Sequence, residues 1–591
     1  MVGFFVAGVF GRFPWKADEP YSFGIVWKML QTGDWLVPRV ADQPFVEKPP
    51  LVYWLGALSA RTMPGVPAHE ASRVAVLMLG AVTLLSIVVA AARLWPEASR
   101  WRSSLALGRP ERGRDGREWN RRDYAWLAVA LAVGTLGWVE QVHKFTADLG
   151  QMAGAALALT GLVCISTRFC LTCLPGSAAT WRAGLMLGTG VGVAFLSKGL
   201  LVPGIVFLTW LACLSMPTFR DRQARIAAGV ALATATPWIV VWPALLYARS
   251  PELFDEWFWT HNLGRFVGTT QLGGNHVPLW DRLSSLALAS FPAGWLAVAV
   301  VGISLRHRRK AQMTSWSVAT DAPGHLVVAG FLGISLLVLT VSACFRDNYI
   351  LPLLPPFVLL GLPAALLATG RRSRSVGWGL NLLFGMAFAV PLLLWFSLVA
   401  TGGMGIFPTL SEAVGRMLPL PFEMRLSEMN LAMVVATLLA WRFAVKRGSL
   451  RHPVLSWSAG VATLWILTSL LLLPWIDAAR SYEHVFAEVG EQVVGNSCVA
   501  TADLGESQLA MLDYVTGLAV TRENLGHSGS GDPAQPNPAA AACAWTLVRS
   551  RGQEEPHIPD GAAWRLVWRG SRPADANEHF ALFHRSIDPW P

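Results

Sequence analysis

Side chains that could do chemistry occur in short polar clusters separated by long apolar runs. The first cluster, KADEPY, holds the adjacent carboxylates Asp18 and Glu19, and Glu47 and Lys48 precede two prolines further along. Other such residues follow singly or in pairs: Asp148, Lys198, His261, Arg265, Arg346 and Tyr349. Carboxylates serve as general bases, and lysine and arginine stabilise phosphate groups. Together these residue types predict a site that binds a phosphate and activates a hydroxyl.

Taken singly, each of these residues has an ordinary structural explanation. Lys48 is explained by a lysine stem that lies along apolar surface, and Asp148 by an N-cap at the start of a helix. His261 is typical of an interface histidine, and Arg346 of a contact with lipid headgroups. Lys198 is harder to explain in this way, because an ionisable group near hydrocarbon is costly and usually has a task. The chemical interpretation therefore depends on whether the fold brings them together.

The elements that must position these residues are predicted to be membrane helices. The 591 residues are 53% hydrophobic and only 15% charged, with a mean hydropathy of +0.42, whereas a soluble domain carries about 25% charged residues. Apolar runs long enough to cross a hydrocarbon core recur along the chain, and in lipid such spans must be helices. The net charge of +10 lies in short loops between these runs rather than on one soluble face, so nucleic-acid binding is not predicted.

Thirteen apolar spans are predicted, which makes the fold class an α-helical polytopic membrane protein. They lie near 1–11 (partial), 73–95, 124–140, 148–170, 183–197, 199–216, 228–248, 284–304, 325–343, 350–369, 377–400, 429–445 and 456–475. The first run is too short to span, so we expect it to be part of a longer helix. No cleavable signal peptide is apparent.

The loops between these spans predict the orientation. Basic residues cluster near 100–122, 220–225, 306–310, 371–374 and 446–451, and alternate counting puts all of these loops on one side. By the positive-inside rule that side is the cytoplasm. The opposite side then receives the loops 12–72, 141–147, 249–283, 344–349 and 401–428, with most of the chemistry-capable residues. The segment 49–63 is short and begins with prolines, so we predict an interfacial or re-entrant helix there.

The chain after residue 475 differs in kind from the rest. It contains a short apolar run, a helical stretch and a second apolar run within 496–520, and then strand-like runs AWTLVRS, WRLVWRG and HFALFHRS around a Gly- and Pro-rich loop. We therefore predict a membrane domain over 1–475, with external loops 12–72 and 249–283 at the site, and a small extracytoplasmic α/β domain over 476–591.

The seven cysteines do not supply the four-ligand Cys or Cys/His set of a zinc site. Cys164, Cys170 and Cys173 lie in an apolar stretch and are interpreted as packing residues. Cys498 and Cys543 lie in the tail, where they could pair, although spacing alone does not establish this.

The polar clusters resemble a known family. The run DEPYSFGIVWKMLQTGDWLVPRVADQPFVEKPPLVYW is similar to the first external loop of bacterial aminoarabinose transferases and their protein-mannosyltransferase relatives. That pattern has an acidic pair and a tyrosine, then GDW with a following proline, then EKPPL with YW. The motifs TAD, SKG, HNLGRF and YILPLLPP follow in family order, and the C-terminal end is also similar, so the resemblance covers nearly the whole chain.

The resemblance implies a GT-C type membrane glycosyltransferase with a polyprenyl-phosphate sugar donor and, by one displacement, inversion at the anomeric carbon. It implies a catalytic carboxylate at Asp18, with Glu19 beside it, and a second important acid at Asp148. Positions that contact the carrier phosphate or the donor are Lys48, Arg265, Tyr349 and Lys198, to which we add Arg346. Positions that can hold a divalent metal are Glu47 and His261; two ligands are not a complete site.

The chain departs from the family pattern at two places. His276-Val277-Pro278 is followed by Leu279-Trp280-Asp281 rather than by the tyrosine pair that is common in the family, and Arg346 stands where a lysine is usual. These departures bear on the acceptor, for which a lipid A-like glycolipid is expected, with a protein side chain or an envelope polysaccharide as alternatives. A flippase for lipid-linked sugars is the alternative from another class. It would place ionisable residues at mid-membrane, often with internal repeats, and neither feature is seen.

Overall fold

The chain is described from a computed structural model. The structure describes residues 2–104, 119–167, 177–269, 277–311, 322–342, 345–368, 370–400, 427–494, 497–522, 542–552, 564–575 and 577–585. His276, Cys170 and Cys173, named above, lie outside these ranges, as does most of the predicted basic loop near 100–122.

Helices account for most of the described chain. In its first half they are α1 (Val2–Val6), α2 (Asp18–Thr32), α3 (Leu51–Thr62), α4 (Ala68–Ala71), α5 (Val74–Ser104), α6 (Arg121–Val133), α7 (Leu136–Gln141), α8 (Ala147–Ser166), α9 (Ser177–Lys198), α10 (Leu201–Cys213), α11 (Arg222–Arg249), α12 (Pro251–Asp255) and α13 (Arg265–Val267). A π-helix, Glu256–Gly264, connects α12 to α13, and a short 3-10 turn covers Pro217–Phe219.

The second half of the chain is also mainly helical up to the tail. Its helices are α14 (Leu279–Ala289), α15 (Ala293–Ala311), α16 (Pro323–Val341), α17 (Leu354–Leu367), α18 (Gly370–Ala387), α19 (Ala389–Ala400), α20 (Glu428–Lys446), α21 (Pro453–Arg480), α22 (Glu483–Gln492) and α23 (Glu506–Thr516). A 3-10 helix, Asp347–Leu353, leads directly into α17.

Most predicted spans coincide with helices, which confirms the α-helical membrane fold class. Within the described residues, eight helices are long and apolar enough to cross a membrane, or nine if a bent pair counts as one span. The bent pair is α14 and α15, which meet at 98° where one span was expected near 284–304. Helices α6 and α10 have only 13 residues each. The count of thirteen spans therefore stays a prediction.

Helices α8 and α9 form a closely packed antiparallel pair. A Cβ on Gly154 would lie 2.4 Å from the backbone nitrogen of Ala194, and one on Gly190 would lie 2.3 Å from that of Ala158. Small residues let two membrane helices approach until their backbones touch. This close packing places the beginning of α8 beside the end of α9, and both ends carry charged residues of the site.

The predicted external segments contain short elements of their own. The strands β1 (Arg39–Val40) and β2 (Gln43–Pro44) form a hairpin between α2 and α3. Helix α3 occupies the segment 49–63, where an interfacial helix was predicted. In the second external segment, α12, the π-helix and α13 follow one another without a break.

The tail forms a five-stranded sheet with strand order β4-β3-β5-β7-β6. Its strands are β3 (Val499–Ala502), β4 (Val520–Arg522), β5 (Trp545–Arg551), β6 (Trp564–Ser571) and β7 (Glu578–Arg585). Strand β3 pairs in parallel with β4 and β5, whereas β7 pairs antiparallel with β5 and β6. The last membrane helix, α21, continues to Arg480, beyond the predicted domain boundary.

A disulfide and a helix contact fix the tail. Cys498 and Cys543, which lie just before the adjacent strands β3 and β5, form a disulfide with Cα atoms 5.2 Å apart. Helix α23 packs against α2 so closely that a Cβ on Gly24 would lie 2.4 Å from the Cβ of Ala510. The tail therefore packs directly against α2, the helix that begins with Asp18.

Candidate active site

Asp18 is the first residue of α2, and its carboxylate is held by side chains from two parts of the chain. Tyr21 Oη donates to Oδ1 at 3.0 Å, and Asn348 Nδ2 donates to Oδ2 at 3.0 Å. Arg346 Nη1 lies 4.0 Å from Oδ1. Burial raises the pKa of Asp18, but the charges of Lys48 and Lys198 outweigh burial, so the pKa lies below its ordinary value. The group is an oriented, ionised carboxylate at a helix N-terminus, where negative charge is favoured.

Lys48 is joined to Asp18 through Tyr21. Its ammonium donates to Tyr21 Oη and lies 4.7 Å from the centroid of the same ring, and only 4% of the residue is exposed. Burial lowers the pKa of Lys48, but Glu47 and Asp18 raise it above the ordinary value. A lysine held in this way stays charged. Tyr21 therefore places a fixed cation one side chain away from the Asp18 carboxylate.

Asp148 and Lys198 form the second charged pair of the site. Lys198 Nζ, at the end of α9, donates to Asp148 Oδ1 in the first turn of α8. The same ammonium lies 4.2 Å from the centroid of the Tyr349 ring, on the 3-10 helix that precedes α17. Three separate elements therefore meet at Lys198. The sequence predicted only that their motifs follow in family order, and it did not predict these contacts.

Gly199 explains the tight hairpin after Lys198. Its φ of +79° is left-handed, and an added Cβ would lie 2.0 Å from Asn262 Oδ1. That oxygen accepts from the backbone nitrogen of Leu200 at 3.3 Å, while Asn262 Nδ2 donates to the carbonyl oxygen of Trp257 at 2.8 Å. Asn262 thereby ties the π-helix to the start of α10.

Glu47 and His261, the two positions that can hold a metal, both face the same cavity but have protein partners. Glu47 Oε1 accepts from Arg265 Nη1 at 2.7 Å, and His261 Nε2 lies 3.3 Å from Glu256 Oε1. Burial raises the pKa of Glu47, but Lys48 and Arg265 lower it to about 2. Among the described residues, no group of three His, Cys, Asp or Glu side chains could hold a metal ion. The donor set does not fit a complete metal site, and we assign no step to a metal.

A cavity of about 300 Å³ connects Glu47, Lys48, Lys198 and Arg265 to apolar helix surface. Its polar lining includes Lys48, Lys198, Arg265 and Tyr349. Its apolar lining includes Leu201, Val202, Ile205 and Leu208 of α10, Val338 and Leu339 of α16, Leu263 of the π-helix, Phe266 of α13, and Pro352 and Leu353 of the 3-10 helix. From Leu201 to Leu208 a helix rises about 10 Å, so the apolar wall continues well beyond the charged residues. The cavity can hold a molecule with a phosphate at one end and a hydrocarbon chain at the other.

Glu19 does not line this cavity. Its carboxylate is 1% exposed and lies between Arg12 and Arg73, with Arg12 Nη2 donating at 2.9 Å and Arg73 Nε at 3.1 Å. The backbone nitrogen of Phe145 also donates to it at 3.1 Å. Burial raises the pKa of Glu19, but the two guanidiniums lower it far below its ordinary value. Of the acidic pair, the structure brings Asp18 to the site and places Glu19 in a structural ion pair.

The tail holds the backbone that precedes Asp18. Ser507 Oγ, on α23, donates to the carbonyl oxygen of Ala17. Lys16 Nζ donates to Glu578 Oε1 at 3.0 Å, and Gln508 Nε2 donates to the same oxygen at 2.6 Å. Asp18 therefore starts its helix from a segment that is fixed by the C-terminal sheet.

Three polar residues near the site were not singled out from the sequence. Asn348 contacts Asp18, Asn262 supports Gly199, and Gln151 lines the cavity. Gln151 follows Asp148 by three residues, so helical spacing would have placed both on one face of α8. For the two asparagines no periodic signal exists, because they lie in a 3-10 helix and a π-helix.

The sequence is similar to curated bacterial transferases. It is 25% identical over 403 residues to undecaprenyl phosphate-alpha-4-amino-4-deoxy-L-arabinose arabinosyl transferase 2 of Sodalis glossinidius, covering 67% of this chain and 62% of that protein. A transferase of the same name from Pseudomonas aeruginosa is 24% identical over 467 residues, covering 77% of this chain and 71% of the relative. The chain thus spans less than two thirds of the Sodalis protein. No family model matches the chain.

The fold is similar to that of solved ArnT structures. ArnT from Cupriavidus metallidurans bound to undecaprenyl phosphate has a TM-score of 0.64 and 16% sequence identity, covering 98% of this chain and 96% of that one. The apo form of the same protein has a TM-score of 0.62. The resemblance to aminoarabinose transferases and the helical membrane fold with a small C-terminal sheet, both predicted from the sequence, are confirmed.

Proposed function

We propose that this chain, which resembles aminoarabinose transferases in sequence and ArnT in fold, is a membrane glycosyltransferase that uses a polyprenyl-phosphate sugar as donor. The observation that carries the proposal is the cavity, because its lining joins three cations and a tyrosine to a long apolar wall. The hydrocarbon chain of the donor would lie along α10 and α16. Its phosphate would contact Lys48, Arg265 and Tyr349.

The arrangement supports a single displacement at the anomeric carbon of the sugar. An acceptor oxygen attacks that carbon while the bond from carbon to the phosphate oxygen breaks, which gives inversion. The Asp18 carboxylate orients the acceptor and takes up its proton. The polyprenyl phosphate leaves with one additional negative charge, which the cations at Lys48, Arg265 and Lys198 stabilise more strongly than they stabilise the donor.

Arg346 is the most exposed cation of the site. Its side chain is 43% exposed, whereas that of Lys198 is 13% exposed. We propose that Arg346 contacts the phosphate late, as the charge develops, or an anionic group on the acceptor. Lipid A-like glycolipids carry such groups, and this favours them over a protein hydroxyl as the acceptor.

We propose that the site faces away from the cytoplasm. The basic loops predict this orientation, and the disulfide between Cys498 and Cys543 supports it, because disulfides persist in oxidising compartments. The protein would then lie in the bacterial inner membrane, with the C-terminal sheet on the same side as Asp18.

Transfer by the purified protein tests the proposal. The protein is reconstituted with undecaprenyl phosphate carrying 4-amino-4-deoxy-L-arabinose, the sugar named for the relatives, and with extracted lipid A. We expect wild-type transfer and a loss of at least about 100-fold in Asp18→Asn, because a positioned base contributes that much or more. The matched control is Asp42→Asn in the same external segment. The Asp42 side chain is 66% exposed, and its ion pair with Lys28 is long, at 3.7 Å.

Two outcomes would count against the proposal. Full transfer by Asp18→Asn would remove the role of that carboxylate. Movement of the intact donor across the bilayer without transfer to any lipid or protein acceptor would favour a flippase instead.

A further inference from the structure

Gln151 is a buried polar residue for which the fold supplies no partner. It lies on α8, with 0% of its surface exposed. Neither Nε2 nor Oε1 forms a hydrogen bond with any described residue. An unsatisfied buried amide destabilises the folded protein, and buried polar groups in proteins are nearly always paired. Because Gln151 also lines the cavity, a partner that enters from the cavity would satisfy it.

The position of Gln151 places that partner next to the charged pair of the site. Gln151 lies three residues after Asp148, on the same face of α8, and lines the cavity together with Lys198 and Tyr349. It is one helical turn further from the helix start than Asp148. Val202, of the apolar wall, lines the same cavity.

The hydrogen-bonding groups of the Gln151 amide indicate which part of the donor it can bind. A carboxamide has two N–H donors and one oxygen acceptor. An isoprenoid chain offers neither, and a phosphodiester offers only acceptors, so Oε1 would remain unpaired. A sugar hydroxyl or amino group both donates and accepts, and can pair with both ends of the amide.

We propose that Gln151 binds a hydroxyl or amino group of the sugar on the polyprenyl-phosphate donor, and that it distinguishes sugar-bearing carrier from sugar-free carrier. This inference rests on the proposed function. It makes Gln151 a specificity-determining residue, and it places the sugar against the first turns of α8, beside the Asp148–Lys198 pair.

The test compares the binding of two lipids to the purified full chain. The probes are undecaprenyl phosphate and undecaprenyl phosphate carrying 4-amino-4-deoxy-L-arabinose, and the variant is Gln151→Met, which keeps length and loses both hydrogen bonds. We expect the dissociation constant for the sugar-bearing lipid to rise about tenfold or more, and that for the sugar-free lipid to stay within about twofold. The control is Thr160→Val on the same helix, because Thr160 Oγ1 donates to backbone carbonyls of Ser86 and Ala156 inside the protein.

Thermal unfolding without ligand separates this role from a structural one. Because the amide has no partner among the described residues, Gln151→Met should leave the unfolding midpoint unchanged or raise it. A lower midpoint, or equal weakening of both lipids, would overturn the inference, as would wild-type affinity for the sugar-bearing lipid. Gln151→Leu provides a second variant if the first fails to fold. A wild-type protein that binds both lipids but transfers no sugar would refute the proposed function. The role of Gln151 in binding the sugar would still be decided by comparing the two lipids.

Discussion

Removal of the charge should have different effects at the adjacent carboxylates Asp18 and Glu19. We expect loss of sugar transfer at Asp18 and loss of stability at Glu19. Glu19 receives hydrogen bonds from Arg12, Arg73 and the backbone nitrogens of Trp15 and Phe145. Replacement by glutamine puts an N–H donor where a carboxylate oxygen now accepts, and it removes the carboxylate that both buried guanidiniums contact.

The size of the effect follows from burial. The side chains of Glu19 and Arg73 are each 1% exposed, and that of Arg12 is 2% exposed. Breaking a buried ion pair by removing one partner costs about 3–5 kcal/mol, so Glu19→Gln should lower the ratio of folded to unfolded protein by at least about 100-fold. Asp18 has a more exposed side chain, at 16%, and Asp18→Asn keeps the shape of the group. We expect little change in its stability.

Two measurements on the same preparations check this contrast. Tryptophan fluorescence in detergent gives the unfolding midpoint, and sugar transfer is expressed per folded molecule. Glu19→Gln should unfold at a lower temperature but keep most of its transfer when folded, whereas Asp18→Asn should keep its midpoint and lose transfer. A Glu19→Gln protein with the wild-type midpoint and no transfer would refute the structural role and restore Glu19 as a catalytic residue.

Two further predictions concern the supports of the site. Gly199→Ala should lower stability by about 1–2 kcal/mol and reduce transfer, because the new Cβ meets Asn262 from a left-handed backbone; Gly80→Ala, with open space around its Cβ, should do neither. Burial raises the pKa of Glu578, but Arg572 and Lys16 lower it to about 2, so its carboxylate stabilises the fold above pH 4.5 and this contribution is lost as pH falls towards 2. The difference in unfolding midpoint between wild type and Glu578→Gln should therefore be largest near neutral pH and shrink below pH 4.5; a constant difference would contradict the assignment.

The sequence alone determined the membrane character, the elements and the motif order. Long apolar runs predict helices because lipid cannot pair with backbone groups, and alternating β-type runs predicted the strands near 545–551, 564–571 and 578–585. Periodicity carries no information about bends: the expected span near 284–304 is a pair of helices that meet at 98°.

Tertiary structure decided which of the chemistry-capable residues meet. Lys198 reaches Asp148 because small residues let α8 and α9 approach, and Tyr349 reaches Lys198 from a third element. No local pattern encodes such contacts, since they depend on how distant helices pack. Neighbours on a helix also point about 100° apart, so the order Asp18-Glu19 could not reveal which carboxylate lies near Lys48. The packed helices alone place Asp18 beside Lys48 and Glu19 between two buried arginines.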